Sequence, residues 1–194
     1  MAKMLRALII FALLDAFYVD AFLDIPVPEP AKKTYGNLRD MYAAMNKTKP
    51  RQYLEAHNKI RLEMGVPPLK WDRKLTRQSR RYANSQAHIC HLDHSHSVYG
   101  ENLAWEQYDE ATPGDIIQKF IDERANYDLE TGVCNCQPSS TDCMCGHFTQ
   151  VIWRTTERVG CAEVTCKGQK GKLVVCSYDP RGNYIGQNPL SPLE

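Results

Sequence analysis

The fold is decided by one stretch of the sequence, CGHFTQVIWRTTERVGCAEVTC, which runs from Cys145 to Cys166. Its second half, from Arg158 to Cys166, is rich in valine, as is the following segment Lys172–Tyr178. The two segments are separated by Lys-Gly-Gln-Lys-Gly. Valine favours strands and glycine favours tight turns, so this pattern predicts a β-hairpin.

Three helices are predicted before this hairpin. The first has inward-facing positions at helical spacing from Tyr53 to Met64 and ends at Gly65, which two prolines follow closely. Asp72 is a suitable N-cap for the second helix, and Thr112 followed by proline opens the third. Helices first and strands later indicate an α+β fold, with helices packed on an antiparallel sheet.

The composition is that of a folded domain. The 194 residues are 43% hydrophobic and 24% charged, which excludes disorder throughout the chain. There are 24 basic and 23 acidic side chains, a formal net charge of +1. This balance gives no electrostatic reason to expect nucleic acid or an anionic membrane as the partner.

The N-terminus predicts a signal peptide over residues 1–21. Lys3 and Arg6 precede the apolar run Ala7–Leu14, and Val19 and Ala21 satisfy the small-residue rule for cleavage after residue 21. The run is too short to span a bilayer, and no other run approaches transmembrane length. Two aspartates within this segment leave a buried N-terminal helix as the alternative. We therefore expect a secreted protein without a transmembrane segment.

Residues 22–50 are predicted to be an N-terminal extension, and the domain itself is predicted to cover residues 51–194. The extension begins with proline-spaced sequence, which favours an extended chain. It contains the one N-x-[ST] sequon, which makes Asn46 a candidate glycosylation site.

Four histidines lie within nine positions, at His88, His91, His94 and His96. Neutral imidazole binds Zn²⁺ and Cu²⁺ well, but a polar loop explains the same spacing, so the residues alone leave both interpretations open. Ser95 and Ser97 lie beside these histidines without the glycine pattern of a nucleophile elbow.

All eight cysteines lie between Cys90 and Cys176. The two Cys-x-Cys pairs at residues 134–136 and 143–145 are compatible with a four-thiolate zinc knuckle. The predicted secretion favours disulfides instead, because disulfides persist in oxidising compartments.

Five blocks of sequence, in order, resemble the superfamily of cysteine-rich secretory proteins, antigen 5 and pathogenesis-related proteins, and are most similar to its plant pathogenesis-related branch. They span essentially the whole domain. The blocks are AHNKIRLEMGVPPLKWD (56–72), CHLDHSHSVYGENLA (90–104), FIDERANYD (120–128), CGHFTQVIWRTTERVGCAEVTC (145–166) and VVCSYDPRGNYIGQNP (174–189).

The resemblance implies an α-β-α sandwich, stapled by disulfides, with a central antiparallel sheet between helical layers and a large cleft. It places two histidines and two carboxylates across that cleft, at His94, Glu101, Glu123 and His147. It requires no cofactor, yet these donors suit Zn²⁺ or another divalent cation, with imidazole as ligand and carboxylate as orienting group.

The resemblance also implies a function. It predicts a secreted, extracellular (apoplast-like) defence-type protein that binds sterol or another lipid, with pathogen membrane components as further candidate partners. The family has no single shared reaction, so no catalytic residue is assigned. A metal-dependent hydrolase or protease that uses the His/Glu tetrad remains the alternative.

A third hypothesis is a precursor that releases a C-terminal defence peptide. In plant relatives the cut precedes the proline of Cys-Asn-Tyr-Asp-Pro-x-Gly-Asn, which corresponds here to the bond between Asp179 and Pro180. The chain departs from the pattern at Ser177 and at Leu190, where tyrosine is usual. The alternative is a strand end followed by a structural turn.

For the cysteines, the resemblance implies the disulfides Cys90–Cys166 and Cys161–Cys176. Relatives of this branch usually carry six cysteines, whereas this chain has eight. The pairing among Cys134, Cys136, Cys143 and Cys145 stays open, with three arrangements available.

Overall fold

The computed structural model describes residues 48–108, 110–136 and 143–191, which belong to one compact unit of residues 47–194. The predicted signal peptide, the Asn46 sequon and all but the last three residues of the predicted extension lie outside the described residues. No helix in the described ranges is long and apolar enough to cross a membrane. In chain order the elements are α1 (Lys49–Glu63), β1 (Lys70–Trp71), α2 (Arg73–Gln86), β2 (Gly100–Glu106), α3 (Pro113–Asp122), a 3-10 turn (Glu123–Asn126), α4 (Gly146–Val151), β3 (Arg158–Thr165) and β4 (Lys172–Asp179).

The three predicted helices form at the predicted signals. The side chain of Asp72 accepts hydrogen bonds from the first backbone N–H groups of α2. Thr112 and Asp115 form a reciprocal capping box at the start of α3. α1 begins at Lys49, two residues before the predicted domain start, and Gly65 follows it with a φ of 65°.

The sheet has the strand order β1-β3-β4-β2. The predicted hairpin is present, since β3 and β4 pair antiparallel from Arg158–Asp179 to Thr165–Lys172. β2 adds antiparallel to the other side of β4. The short β1 pairs parallel with β3, so the sheet is mixed at one edge.

Alternate residues of the strands face two separate helical layers. On one face, Val159, Val174 and Tyr178 pack against the helices α1, α3 and α4. On the other face, Leu103 and Val175 pack with Ala83 of α2. This arrangement confirms the α-β-α sandwich.

A buried arginine fixes the chain between α4 and β3. The Arg61 guanidinium donates to the carbonyl oxygens of Val151, Trp153 and Thr156 at 2.9–3.0 Å. Burial lowers the pKa of Arg61 to about 10. Because these carbonyls lie at the end of α4 and in the following turn, α1 holds α4 in place.

The structure contains four disulfides and no free cysteine among the described residues. Cys90–Cys166 and Cys161–Cys176 are the pairs that the resemblance implied. The four remaining cysteines pair in a nested arrangement, Cys134–Cys145 and Cys136–Cys143. With these sulfurs oxidised, the Cys-x-Cys pairs do not form a thiolate zinc knuckle.

The contact between α2 and β3 depends on Gly160, and we expect Gly160→Ala to be strongly destabilising. An added Cβ would lie 2.3 Å from the Thr76 nitrogen and 2.7 Å from the Asp72 carbonyl oxygen, both backbone atoms of the α2 start. Overpacking of this kind costs about 1–3 kcal/mol or more of unfolding free energy. Urea unfolding of the oxidised protein measures the change in unfolding free energy.

The matched control is Gly114→Ala in the first turn of α3. There the nearest atom to an added Cβ is 3.5 Å away, an ordinary contact. We expect a change within about 0.5 kcal/mol of zero, or a gain. Equal losses in the two variants would contradict the proposed close approach at Gly160.

Candidate functional site

The first histidine–carboxylate pair joins the segment after α2 to the start of β2. His94 Nδ1 lies 3.0 Å from Glu101 Oε1, and the Ser95 backbone N–H donates to the same oxygen at 2.8 Å. The His94 side chain is 58% exposed, whereas the Glu101 side chain is only 7% exposed. The carboxylate is therefore fixed within the protein, and the imidazole reaches outward from it.

The second pair joins the 3-10 turn to α4. Glu123 Oε1 lies 2.5 Å from His147 Nδ1. Glu123 Oε2 accepts the backbone N–H groups of His147 and Phe148 at 2.9 and 3.2 Å. Cys145, the N-cap residue of α4, makes no side-chain capping bond, so Glu123 caps this helix from outside it. The Phe120 ring stacks on the His147 ring with centroids 4.9 Å apart.

The structure brings the four predicted residues together as two pairs. Glu101 and Asn102 are consecutive in β2 and so point to opposite faces of the sheet. The Asn102 amide donates to the His147 carbonyl oxygen at 3.0 Å, which places α4 on the face opposite to Glu101. Within the described ranges, no three of the four tetrad residues bring ligand atoms within 4.8 Å of one another.

A cavity of about 360 Å³ adjoins the first pair. Its lining includes His94 and Glu101, Gln150 of α4, and Arg181 and Asn183 after β4. Glu123 and His147 are not part of this lining. The first pair therefore lies at the cleft that the resemblance predicts. The second pair is largely covered, because the Glu123 side chain is 12% exposed and the His147 side chain 18%.

A buried chain of hydrogen bonds connects β2 and β4 with α1. Asn102 Nδ2 lies 3.2 Å from the Tyr178 hydroxyl oxygen, and that hydroxyl lies 2.9 Å from His57 Nε2. His57 Nδ1 lies 2.8 Å from the Tyr53 carbonyl oxygen. A carbonyl only accepts, so Nδ1 carries the proton and donates, Nε2 accepts from Tyr178, and Tyr178 accepts from Asn102.

Burial lowers the pKa of His57 to about 4, which keeps the ring neutral and preserves this direction. The sequence patterns do not predict this chain of hydrogen bonds, because His57 lies within the helical spacing of α1 and Asn102 and Tyr178 lie within two of the five sequence blocks. The available signal was that polar side chains occupied positions facing the core.

The hydrogen bond between His94 and Glu101 shifts the pKa values of both side chains. The hydrogen bond to Glu101 raises the pKa of His94, and this effect exceeds the opposing cost of burial. Burial would raise the pKa of Glu101, but the hydrogen bonds from His94 and Ser95 outweigh it and lower the pKa. The His94 contribution to stability is full below about pH 6.5 and is lost as the pH rises through the raised pKa.

The donor chemistry fits a divalent cation. In each pair a carboxylate engages Nδ1 and leaves Nε2 as the ring atom for a ligand. This carboxylate–histidine arrangement orients imidazoles that bind Zn²⁺. His94 and His147 are thus the candidate ligands, and Glu101 and Glu123 their orienting partners.

The neighbouring histidines and serines differ in position. His96 lines the 360 Å³ cavity, whereas His88 and His91 are outside it. Ser95 Oγ is buried and has no hydrogen-bond partner in the part of the chain that the structure describes. Ser97 Oγ accepts from the Tyr99 backbone N–H. No Ser–His hydrogen bond forms among these described residues.

The predicted peptide cleavage site lies where β4 ends. The Asp179 carboxylate accepts a hydrogen bond from Arg158 Nη2 at 2.6 Å. The backbone carbonyl of Asp179 accepts from the Glu157 backbone N–H at 3.2 Å. The Pro180 carbonyl accepts from Thr156 Oγ1 at 2.9 Å. The bond between Asp179 and Pro180 thus lies at a paired strand end, and cleavage there stays a prediction.

Residues 54–178 match the family model of CAP, the cysteine-rich secretory protein family. The chain belongs to this family. As a CAP protein it is 43% identical over 137 residues to pathogenesis-related protein 1A of Nicotiana tabacum, a match that covers 71% of this chain and 78% of the relative. It is 40% identical over 140 residues to pathogenesis-related protein 1 of Arabidopsis thaliana, covering 72% and 81%.

Solved structures share the CAP fold at lower identity. The crystal structure of Na-ASP-1 matches with a TM-score of 0.60 and 22% sequence identity. The match covers 74% of this chain and 41% of the Na-ASP-1 chain. NaASP2 with Zn²⁺ matches with a TM-score of 0.57 and 20% identity over 74% and 85%. These likenesses confirm the sandwich architecture.

We expect Glu101→Gln to lower the pKa of His94, because the neutral amide removes the charge that favours the imidazolium. NMR titration of the His94 ring protons measures this pKa. Without the substitution, the midpoint of the His94 titration should lie above the ordinary histidine value of about 6.5. In Glu101→Gln the midpoint should fall towards that ordinary value. A midpoint that is unchanged by Glu101→Gln would contradict the assigned pair.

Proposed function

We propose that this CAP protein is a secreted, non-enzymatic defence protein that binds a sterol or a related lipid. Its similarity to pathogenesis-related proteins supports the defence role. Its four disulfides support secretion, since such bonds persist in oxidising compartments. One surface feature supports the choice of an apolar ligand.

That feature is a groove of about 500 Å³ beside the Cys90–Cys166 disulfide. Leu92 and Trp105 line it, and both are exposed to solvent. Gln169 closes one side by donating to the Ile89 carbonyl oxygen at 3.2 Å. Exposed apolar side chains beside a groove mark binding sites, and this volume lies within the usual range of ligand pockets, about 300–1,000 Å³.

We expect Trp105→Ala to weaken cholesterol binding at least about tenfold, because the indole supplies a large part of the apolar surface in the groove. Binding of radiolabelled cholesterol to the secreted protein measures the loss. Leu62→Ser is the control, since Leu62 is an exposed apolar residue of α1 that does not line the groove. Equal binding by both variants would exclude this groove as the lipid site.

The two histidine–carboxylate pairs support a second property of the proposed function, weak binding of a divalent cation. His94 and His147 would each offer Nε2 as a ligand, and a bound ion would supply Lewis acidity to whatever else it coordinates. The hydrolase alternative needs, in addition, a positioned nucleophile or base. The proposed function therefore includes cation binding but not hydrolysis.

We expect the His94→Ala/His147→Ala double variant to weaken Zn²⁺ binding at least about tenfold, because it removes the candidate imidazole ligand from both pairs. Isothermal titration with zinc measures the affinity, and cholesterol binding should be retained in the double variant. His88→Ala is the control, at a neighbouring histidine that lines neither the 360 Å³ cavity nor the groove. Zinc affinity that survives the double variant, or that falls equally in the control, would contradict the assignment.

A further inference from the structure

A second cavity, of about 300 Å³, has none of the four tetrad residues in its lining; it shares only Asn183 with the 360 Å³ cavity and no residue with the lipid groove. It forms where the segment after β4 passes beside α4 and the Cys134–Cys145 disulfide. Three aromatic residues line it, namely Tyr127, Trp153 and Tyr184. The features described above do not use this site.

Tyr184 forms an accessible aromatic platform. Its side chain is 47% exposed, and the Trp153 ring lies 6.2 Å away between centroids, at a tilt of 55°. The Arg181 guanidinium carbon lies 5.7 Å from the centre of the Tyr184 ring. The ring is thus held by a cation–π contact and an aromatic contact while part of its surface stays open.

The polar rim of the cavity is rigid. Asn183 Oδ1 accepts from Thr149 Oγ1 at 2.8 Å, and Asn183 Nδ2 donates to the Gly146 carbonyl oxygen at 2.8 Å. By contrast, the Gln187 amide and the Tyr184 hydroxyl form no side-chain hydrogen bond to any residue that the structure describes. These two groups are available to a ligand.

The lining is electrically neutral. It contains aromatic, amide and hydroxyl groups, and no carboxylate, ammonium or guanidinium group belongs to the lining residues described. A cationic ligand would lose water here without gaining a counter-charge, and the Arg181 guanidinium beside the Tyr184 ring would repel it. A fully apolar ligand would leave the Gln187 amide and the Tyr184 hydroxyl unsatisfied.

We propose that this cavity binds the ring of a neutral saccharide. The C–H face of a pyranose packs on the Tyr184 ring, and its hydroxyl groups exchange hydrogen bonds with the Gln187 amide and the phenol hydroxyl. The volume lies at the lower end of the range for ligand pockets, which suits one sugar ring of a longer chain rather than a sterol.

The Cys134–Cys145 disulfide forms part of one wall of the site. Cys134 and Cys145 line the cavity, as does Gly132. A Cβ on Gly132 would lie 3.3 Å from Asn188 Nδ2 and 3.5 Å from the Tyr127 hydroxyl, so this wall packs closely on the C-terminal segment. This wall therefore bounds the saccharide site on the side of the Cys134–Cys145 disulfide.

The test is titration of the ¹⁵N-labelled, oxidised protein with cellobiose, laminaribiose and N,N′-diacetylchitobiose, followed by backbone amide shifts. We expect at least one disaccharide to shift the amides of residues 184–187, with a Kd in about the millimolar range. Tyr184→Ala and Gln187→Ala should each weaken that binding at least about fivefold. Both side chains are exposed, so folding should be preserved.

The matched control is Ile185→Ala, an exposed neighbour that does not line the cavity and should leave the affinity unchanged. Three results would overturn the proposal. One is the absence of shifts with all three disaccharides at about 10 mM. The others are equal binding of glucosamine and an equal loss in the Ile185→Ala control. Cholesterol binding is measured in parallel, so that failure of the saccharide proposal can be distinguished from failure of the lipid proposal.

Discussion

The architecture around the candidate site depends on one buried chain of hydrogen bonds, from Asn102 through Tyr178 to His57. All three side chains are almost completely buried. The chain is satisfied in one direction only, because the last acceptor is the Tyr53 carbonyl oxygen. A protonated His57 would turn Nε2 into a donor and leave the Tyr178 hydroxyl proton without its acceptor. Burial prevents this by disfavouring the charged ring, and it also raises the pKa of Tyr178.

The same chain connects the core to both histidine–carboxylate pairs. Asn102 holds the carbonyl oxygen of His147, while its neighbour Glu101 holds His94 from the opposite face of the strand. Each pair therefore has a carboxylate set by a rigid element and an imidazole set by that carboxylate. A strand that shifted by one residue would exchange the two faces and separate both pairs from their partners.

The sequence predicts the elements that depend on local signals. The β3–β4 hairpin and the caps at Asp72 and Thr112 are confirmed because turn and capping chemistry is encoded within a few residues. The division of the tetrad into two pairs could not be predicted, since it depends on which faces of β2 Glu101 and its neighbour Asn102 occupy. The buried chain was also missed, because its members are 76 and 121 residues apart and no local pattern joins them.

The central claim is that His57 stays neutral, with its proton on Nδ1, inside the folded protein. Long-range ¹H–¹⁵N correlation of the imidazole groups at about pH 5.5 tests it most directly, since ordinary histidines are largely charged there. The account predicts that His57 shows the neutral Nδ1–H tautomer while exposed histidines show the imidazolium pattern. An imidazolium or an Nε2–H tautomer at His57 in the folded protein would contradict it.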